Sequence, residues 1–172
     1  MRSLVLALML TPIISGFGAS GIAFAADLSA AQDKSLDAWL QAHSSYRLAA
    51  EKDCDCADSI NLVRRSAPTG TPLPNYTPYV LMGDFRHSGI EDLAAVVVDR
   101  NEAMPKEGLL VIFDGPFASK PRKPVYTGRV GMIAQMGLGL TNQGVLIYGA
   151  FFSEGCTYEP HGKTYREACV EY

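Results

Sequence analysis

Residues 93–98 read Leu-Ala-Ala-Val-Val-Val, and residues 109–113 read Leu-Leu-Val-Ile-Phe. Neither run alternates apolar with polar side chains. A strand with one wet face alternates with a period of two, so continuous apolar runs of this length belong to strands covered on both faces. The rest of the chain must then supply an apolar layer on each side. Residues 28–51 supply one. Leu36, Trp39, Leu40, His43 and Ala50 recur at helical spacing, with Tyr46 at the edge and no glycine or proline between them. Ser29 followed by Gln32 has the form of a capping box. The spacing predicts one amphipathic helix over 28–51, with Trp39, the single tryptophan, anchoring it on a sheet.

Working outward, Tyr79–Met82, Leu138–Leu140 and Val145–Phe152 read as further strands, and Tyr158 and Lys163–Tyr165 flank a last turn. Asn142-Gln143-Gly144 has the composition of a hairpin connection. Residues 66–78 carry Pro68, Gly70, Pro72, Pro74 and Pro78, which predicts a stiff loop, and residues 115–124 hold too many prolines for a helix. One helix followed by about six short strands is an α+β chain. The expected architecture is one N-terminal amphipathic helix packed on a mostly antiparallel sheet.

The beginning of the chain has a different character. Arg2 precedes the apolar run Leu4–Leu10, which continues through Ile13 and Ile14 and is followed by Ala23-Phe24-Ala25. A positive start, an apolar centre and small residues at the cleavage positions make residues 1–25 a signal peptide, cut before Ala26. Pro12, Gly16 and Gly18 break the run short of the ~20 residues that span a bilayer. No cysteine follows until Cys54, which argues against a lipid anchor, and a lone arginine argues against twin-arginine export. Residues 26–172 then form a single disulfide-bonded domain, periplasmic or secreted, with no membrane span after cleavage. The 172 residues carry a net charge of −3, so a nucleic-acid partner has no electrostatic footprint.

Cys54, Cys56, Cys156 and Cys169 are an even set in an oxidising compartment, which suggests two disulfides. Glu159-Pro160-His161-Gly162 reads as a type I turn. A hairpin closed there would set Cys169 opposite Phe152 and leave Cys156 roughly 13 Å along the strand. Cys54 and Cys56 are close in sequence for a mutual bond. Both bonds are therefore expected to tie the Cys54–Cys56 segment to the C-terminal hairpin. An irregular end to the hairpin would restore a Cys156–Cys169 bond.

The most specific local motif is Gly83-Asp84-Phe85-Arg86-His87-Ser88-Gly89-Ile90-Glu91-Asp92-Leu93. It resembles a single degenerate unit of the FG-GAP, or integrin-alpha-type, repeat at residues 83–93; there is no second copy and no whole-chain match. The resemblance implies an acidic turn between two apolar strands. In that family the loop holds calcium through oxygens at its first, third, fifth and ninth positions. Asp84 and Asp92 match the first and ninth and Ser88 the fifth, but the third is Arg86, a fixed cation. The expectation is a metal-free loop in which Arg86 pairs with Asp84 or Asp92, with Asp84, Ser88 and Asp92 as weak calcium candidates and no other cofactor.

Elsewhere chemistry is sparse. Cys54-Asp55-Cys56 could be redox-active or metal-binding, but it lacks an evident helix start that would lower a thiol pKa, so braces are favoured. His43 reads as a hydrogen-bonded core histidine, His87 as a turn residue beside Ser88, and His161 as solvated. Gly137-Leu138-Gly139-Leu140 lacks the third glycine of a nucleotide loop and reads as strand. Arg47 must snorkel or find a carboxylate, and Arg64-Arg65 reads as a solvated edge. No catalytic constellation stands out. The leading expectation is a non-enzymatic binding protein of the cell envelope, of inhibitor, immunity or accessory type, taking a protein or small-molecule partner. Tyr76, Tyr79, Phe117, Tyr126, Tyr158 and Tyr165 are its candidate exposed anchors. The alternative is a small secreted hydrolase or calcium-dependent module using the Asp84–Asp92 loop, with His87.

Overall fold

In the computed structural model the two apolar runs are neighbouring strands, as their sequence demands. Asp92–Asp99 forms β3 and Glu107–Phe113 forms β4, antiparallel with Val96 opposite Leu110. Residues 28–66, 72–141, 143–150 and 155–169 are described. The signal-peptide reading of residues 1–25 lies outside them.

Around this pair the first sheet adds β1 (Tyr46–Leu48), β2 (Val80–Gly83) and β5 (Tyr126–Gly131). β1 and β2 lie end to end along the same edge of β3, and β5 flanks β4. A second antiparallel sheet runs β6 (Gly137–Leu140), β7 (Leu146–Gly149), β8 (Gly155–His161) and β9 (Thr164–Cys169) in sequence order. The chain is α+β with mostly antiparallel sheets, as expected. The described residues hold nine strands in two sheets and two helices, however, against the expected single helix and single sheet. Two strands were missed for a shared reason. β1 is three residues long, and β5 (Tyr-Thr-Gly-Arg-Val-Gly) has one buried side chain, so neither carries a periodic signal.

The covering layers explain the continuous apolar runs. Ala94, Val96, Val98, Leu110 and Ile112 pack against Leu138, Leu140, Leu146 and Tyr148 of the second sheet. Leu93, Ala95, Val97, Val111 and Phe113 pack against Leu36 and Trp39 of α1 (Ala30–Ala42). The molecule is thus layered helix, sheet, sheet. Each Val, Leu or Ile fully buried between layers contributes about 1.5–3 kcal/mol. The capping box at Ser29 and Gln32 is present, and Trp39 is the anchor its position suggested.

α1 stops at Ala42, short of the predicted residue 51. The His43 backbone N–H closes the helix on Leu40 and Trp39 carbonyls, and two serines turn the chain. Tyr46-Arg47-Leu48 then gains a strand ladder against Asp99, Val98 and Val97, and tertiary pairing overrides local helix preference. A 3-10 turn (Glu51–Asp53) leads into α2 (Ala57–Arg65), whose Ile60 and Val63 close a third small core with Cys56 and Tyr76. Residues 72–79 carry no helix or strand, in keeping with the stiff-loop reading; 67–71 lie outside the described residues.

The disulfides are paired otherwise than expected. Cys54 bonds Cys56, and Cys156 bonds Cys169. The hairpin turns on Gly162-Lys163, with His161 opposite Thr164, so the expected turn was two residues early. Gly162 has φ +64, the left-handed conformation that a two-residue hairpin turn needs. That register puts Cys156 directly opposite Cys169, with Cα atoms 3.9 Å apart. Pro160 lies in β8 beyond the stretch paired with β7, where its missing N–H costs little.

Candidate functional site

The loop between β2 and β3 was the foremost sequence candidate. Asp84 Oδ1 accepts the Ser88 backbone N–H at 2.8 Å and its hydroxyl at 3.2 Å, and Oδ2 accepts the Gly89 N–H at 2.6 Å. His87 and Gly89 take positive φ to close this turn. Burial pushes the Asp84 carboxyl up, but these donors, helped by His87, outweigh it and hold the group below the usual carboxylate range.

Asp92 faces the other way. It is fully buried and accepts from Arg86 Nη2 at 2.7 Å, Arg86 Nε at 3.1 Å and the Gly115 N–H at 2.9 Å. The other end of the Arg86 guanidinium lies 3.2 Å from Asp114, whose carboxylate also accepts the Tyr165 hydroxyl at 3.3 Å. Burial raises the Asp114 carboxyl; Arg86 opposes this, and the like charge of Asp92 reinforces it. Arg86 therefore stands between two carboxylates, as the sequence allowed for one of them. Calcium would meet oxygens that already accept protein donors. Asp84 has committed its oxygens to loop donors and Asp92 has committed its own to a guanidinium, so a metal would have to displace Arg86, a fixed cation, from the buried Asp92. The cluster ties together the loop, the end of β4 and β9. Nearby, Gln32 of α1 donates to Glu91 at 2.7 Å, and the Arg122 N–H donates to the Ser35 hydroxyl at 3.0 Å.

The histidines are separate. His43 is exposed at the end of α1, its ring Nδ1 2.8 Å from the Trp39 carbonyl oxygen and stacked on the indole at 4.1 Å. It is hydrogen-bonded as expected but is not in the core. His87 and His161 are exposed, the latter beside the hairpin turn. Gly137–Leu140 is strand β6 with both leucines buried.

None of the six aromatic anchors is an exposed residue. Tyr76, Tyr79, Tyr158 and Tyr165 are buried, while Phe117 and Tyr126 are half-buried against the cores. Hydroxyl partners made the burial of the tyrosines possible. Tyr76 donates to the Leu138 carbonyl at 3.0 Å, Tyr79 to the Ile133 carbonyl, and Tyr158 to Glu167 at 2.8 Å. A buried tyrosine with a satisfied hydroxyl is a large apolar filler.

Among the described residues the exposed large apolar side chains are Met104, Leu62, Met132 and Ile90, and the two methionines line one groove. A groove of about 560 Å3 opens between the turn before β4 and the turn after β5. Met104, Pro105 and Lys106 form one wall, and Met132, Ile133 and Gln135 the other. Met104 is 64% exposed and Met132 54%. Met132 has φ +53, a conformation that non-glycine residues seldom hold. Methionine is unbranched and polarisable and adapts to varied apolar partners. Sequence reading passed over both residues because isolated methionines in turns form no motif.

The charged segment around Cys54 is also ordered by pairing. Arg47, on β1, holds the buried Asp53 through two bonds of 2.6 and 2.8 Å, which meets the need for a carboxylate. The Arg47 bond holds the Asp53 carboxyl below its usual range in spite of burial. Arg64 is no solvated edge: it bonds Glu51 at 2.7 Å and the Tyr76 carbonyl at 2.9 Å. Cys56 is the residue that opens α2, so the Cys-x-Cys pair does sit at a helix start. Cys156, Cys169 and Glu167 cluster at β8–β9, but both sulfurs there are spent in the disulfide.

No family model, curated protein or solved structure matches the chain. No helix among the described residues is long and apolar enough to cross a membrane. Two disulfides accord with an oxidising, non-cytoplasmic setting.

Proposed function

We propose that this is an exported, non-enzymatic binding protein of the cell envelope, periplasmic or secreted, that holds an apolar segment of a protein partner in the Met104–Met132 groove. The observation that carries the reading is that these two methionines, two of the four exposed large apolar side chains among the described residues, line one groove. Its volume falls in the range that accepts several side chains. Lys106 and Glu107 beside it offer a cation and an anion to a polar rim. The aromatic residues first considered as anchors serve the core, so they no longer support the reading.

The test is photo-crosslinking in the intact envelope. A photoreactive residue is placed at position 104 or 132, and at 120 as a control. A discrete adduct from the two groove positions, absent at 120 and lost when the other methionine becomes glutamate, supports the reading. Equal labelling at all three positions contradicts it.

The calcium-dependent or hydrolytic alternative has less support, since the candidate oxygens of Asp84 and Asp92 already accept protein donors. We propose a metal-free loop. Calorimetry showing micromolar calcium binding would overturn that.

A further inference from the structure

We propose that the Cys54–Cys56 disulfide is a thiol–disulfide exchange site that accepts two electrons from a dithiol on an exported polypeptide. This goes beyond the binding reading and does not rest on it.

Three observations combine. First, the bond joins residues with a sequence separation of two, in an irregular connection between the 3-10 turn and α2. No strand ladder holds the two sulfurs together once the bond opens. Second, the sulfurs are unequal. Cys54 is half-buried, with Sγ 3.4 Å from the Ala134 carbonyl oxygen, whereas Cys56 is buried with Ile60, Val63 and Tyr76. An incoming thiolate therefore meets Cys54. Third, Cys56 occupies the N-cap position of α2, and its side chain makes no cap hydrogen bond. A sulfur leaving there as thiolate gains unsatisfied donors and the positive end of the helix. Asp55 and Asp58, the nearest carboxylates in sequence, oppose an anion, so the backbone supplies the stabilisation.

In the first step the partner's thiolate attacks Cys54 Sγ, forming a mixed disulfide and releasing the Cys56 thiolate. The partner's second thiol then attacks the partner sulfur of that mixed disulfide as thiolate, its proton passing to solvent. The Cys54 thiolate leaves. The partner ends as a disulfide, and this protein carries two reduced cysteines, which solvent protonates according to pH. One protein oxidises one dithiol.

Surface access alone does not set this pair apart, since Cys169 of the second disulfide is exposed. The difference is what holds each pair together. Six paired positions of β8 and β9 keep Cys156 facing Cys169 after reduction, which re-forms the bond. Cys54 and Cys56 stay near each other only through the one residue between them, and their backbone bonds run to different partners: Cys54 N–H to Glu51, Asp55 N–H to Ala134 and Ile60 N–H to Cys56, none of which aligns one sulfur on the other.

The oxidised full-length protein is equilibrated in graded dithiothreitol and, separately, in glutathione buffers, then quenched by alkylation and mapped by peptide mass. Cys54 and Cys56 are expected to be half reduced at a thiol ratio at least ten-fold milder than Cys156 and Cys169, with native tryptophan fluorescence. In a Cys56→Ser variant, glutathione is expected to form a mixed disulfide at Cys54. A Cys54→Ser variant is expected to take up markedly less at Cys56. Joint reduction of both pairs, or reduction of Cys54–Cys56 only as the fluorescence unfolds, overturns the proposal; so does equal glutathione uptake by the two variants.

Discussion

The two ends of the molecule each combine a disulfide with an arginine on a buried carboxylate, and they use them differently. At the β9 end, Cys156–Cys169 crosses two strands already paired over six positions, and Tyr165 of β9 reaches the Asp114–Arg86–Asp92 cluster. The bond reinforces a geometry that backbone hydrogen bonds also specify. At the α2 end, Cys54–Cys56 bridges a single residue, and order comes instead from Arg47 on Asp53 and Arg64 on Glu51. A disulfide stabilises in proportion to the chain freedom it removes. The first is therefore a brace and the second leaves its sulfurs available for chemistry. An oxidising compartment alone does not assign every disulfide the same role.

The sharpest way to break the comparison is to attack the β9 end through charge. Arg86→Met leaves the fully buried Asp92 with only the Gly115 N–H among its present partners. Breaking a buried pair in this way is expected to cost about 3–5 kcal/mol, read from urea unfolding. A smaller loss would mean that water reaches Asp92. Next, replacing Cys156 and Cys169 together by serine is expected to cost about 3 kcal/mol, the chain-entropy value for a loop of this size. A near-zero cost would mean that the β8–β9 ladder already does the work of the bond.

Arg47→Met probes the other end, with an expected loss of about 2 kcal/mol at neutral pH, below the range for a fully buried pair because Arg47 retains contact with water. The Asp53 carboxyl is held below its unfolded value, near 3.9, so its stabilisation is present above about pH 4 and is lost as pH falls through the folded value. Wild type and variant should therefore converge in stability below about pH 4. Asp114 has the opposite sign: its raised carboxyl favours the fold at low pH and costs stability as pH rises through its folded value. The smallest expected effect is replacing Cys54 and Cys56 together by serine, about 1.5 kcal/mol by the same chain-entropy relation. A loss matching that of the Cys156–Cys169 variant would remove the distinction.

Much of the fold was legible because burial leaves a pattern. The unbroken runs of β3 and β4 called for two covering layers, and Ser29, Gln32 and Trp39 placed the helix that forms one. Other parts depended on long-range pairing that local pattern does not encode. Tyr46–Leu48 continues a helical spacing yet joins β3, and β5 has a single buried side chain. α2 could have been found, since Asp58 in its first turn and Arg64-Arg65 in its last complement the helix dipole around Ile60 and Val63. At the loop, the sequence suggested Arg86 as a counter-ion for Asp84 or Asp92, and the structure chooses Asp92; it did not suggest Asp114, twenty-two positions beyond Asp92, as the second carboxylate. The disulfide pairing was misread through one turn. Moving the hairpin by two residues changes which strand positions face each other, and Gly162 was assigned to the end of the turn when it is the first of its two central residues.

The separation of brace from reagent is tested most directly by native-state hydrogen exchange on protein in which only Cys54–Cys56 has been reduced. Protection is expected to fall only around residues 54–60, while amides of β3, β4, β8 and β9 exchange as in the oxidised protein. Loss of protection across both sheets would contradict it.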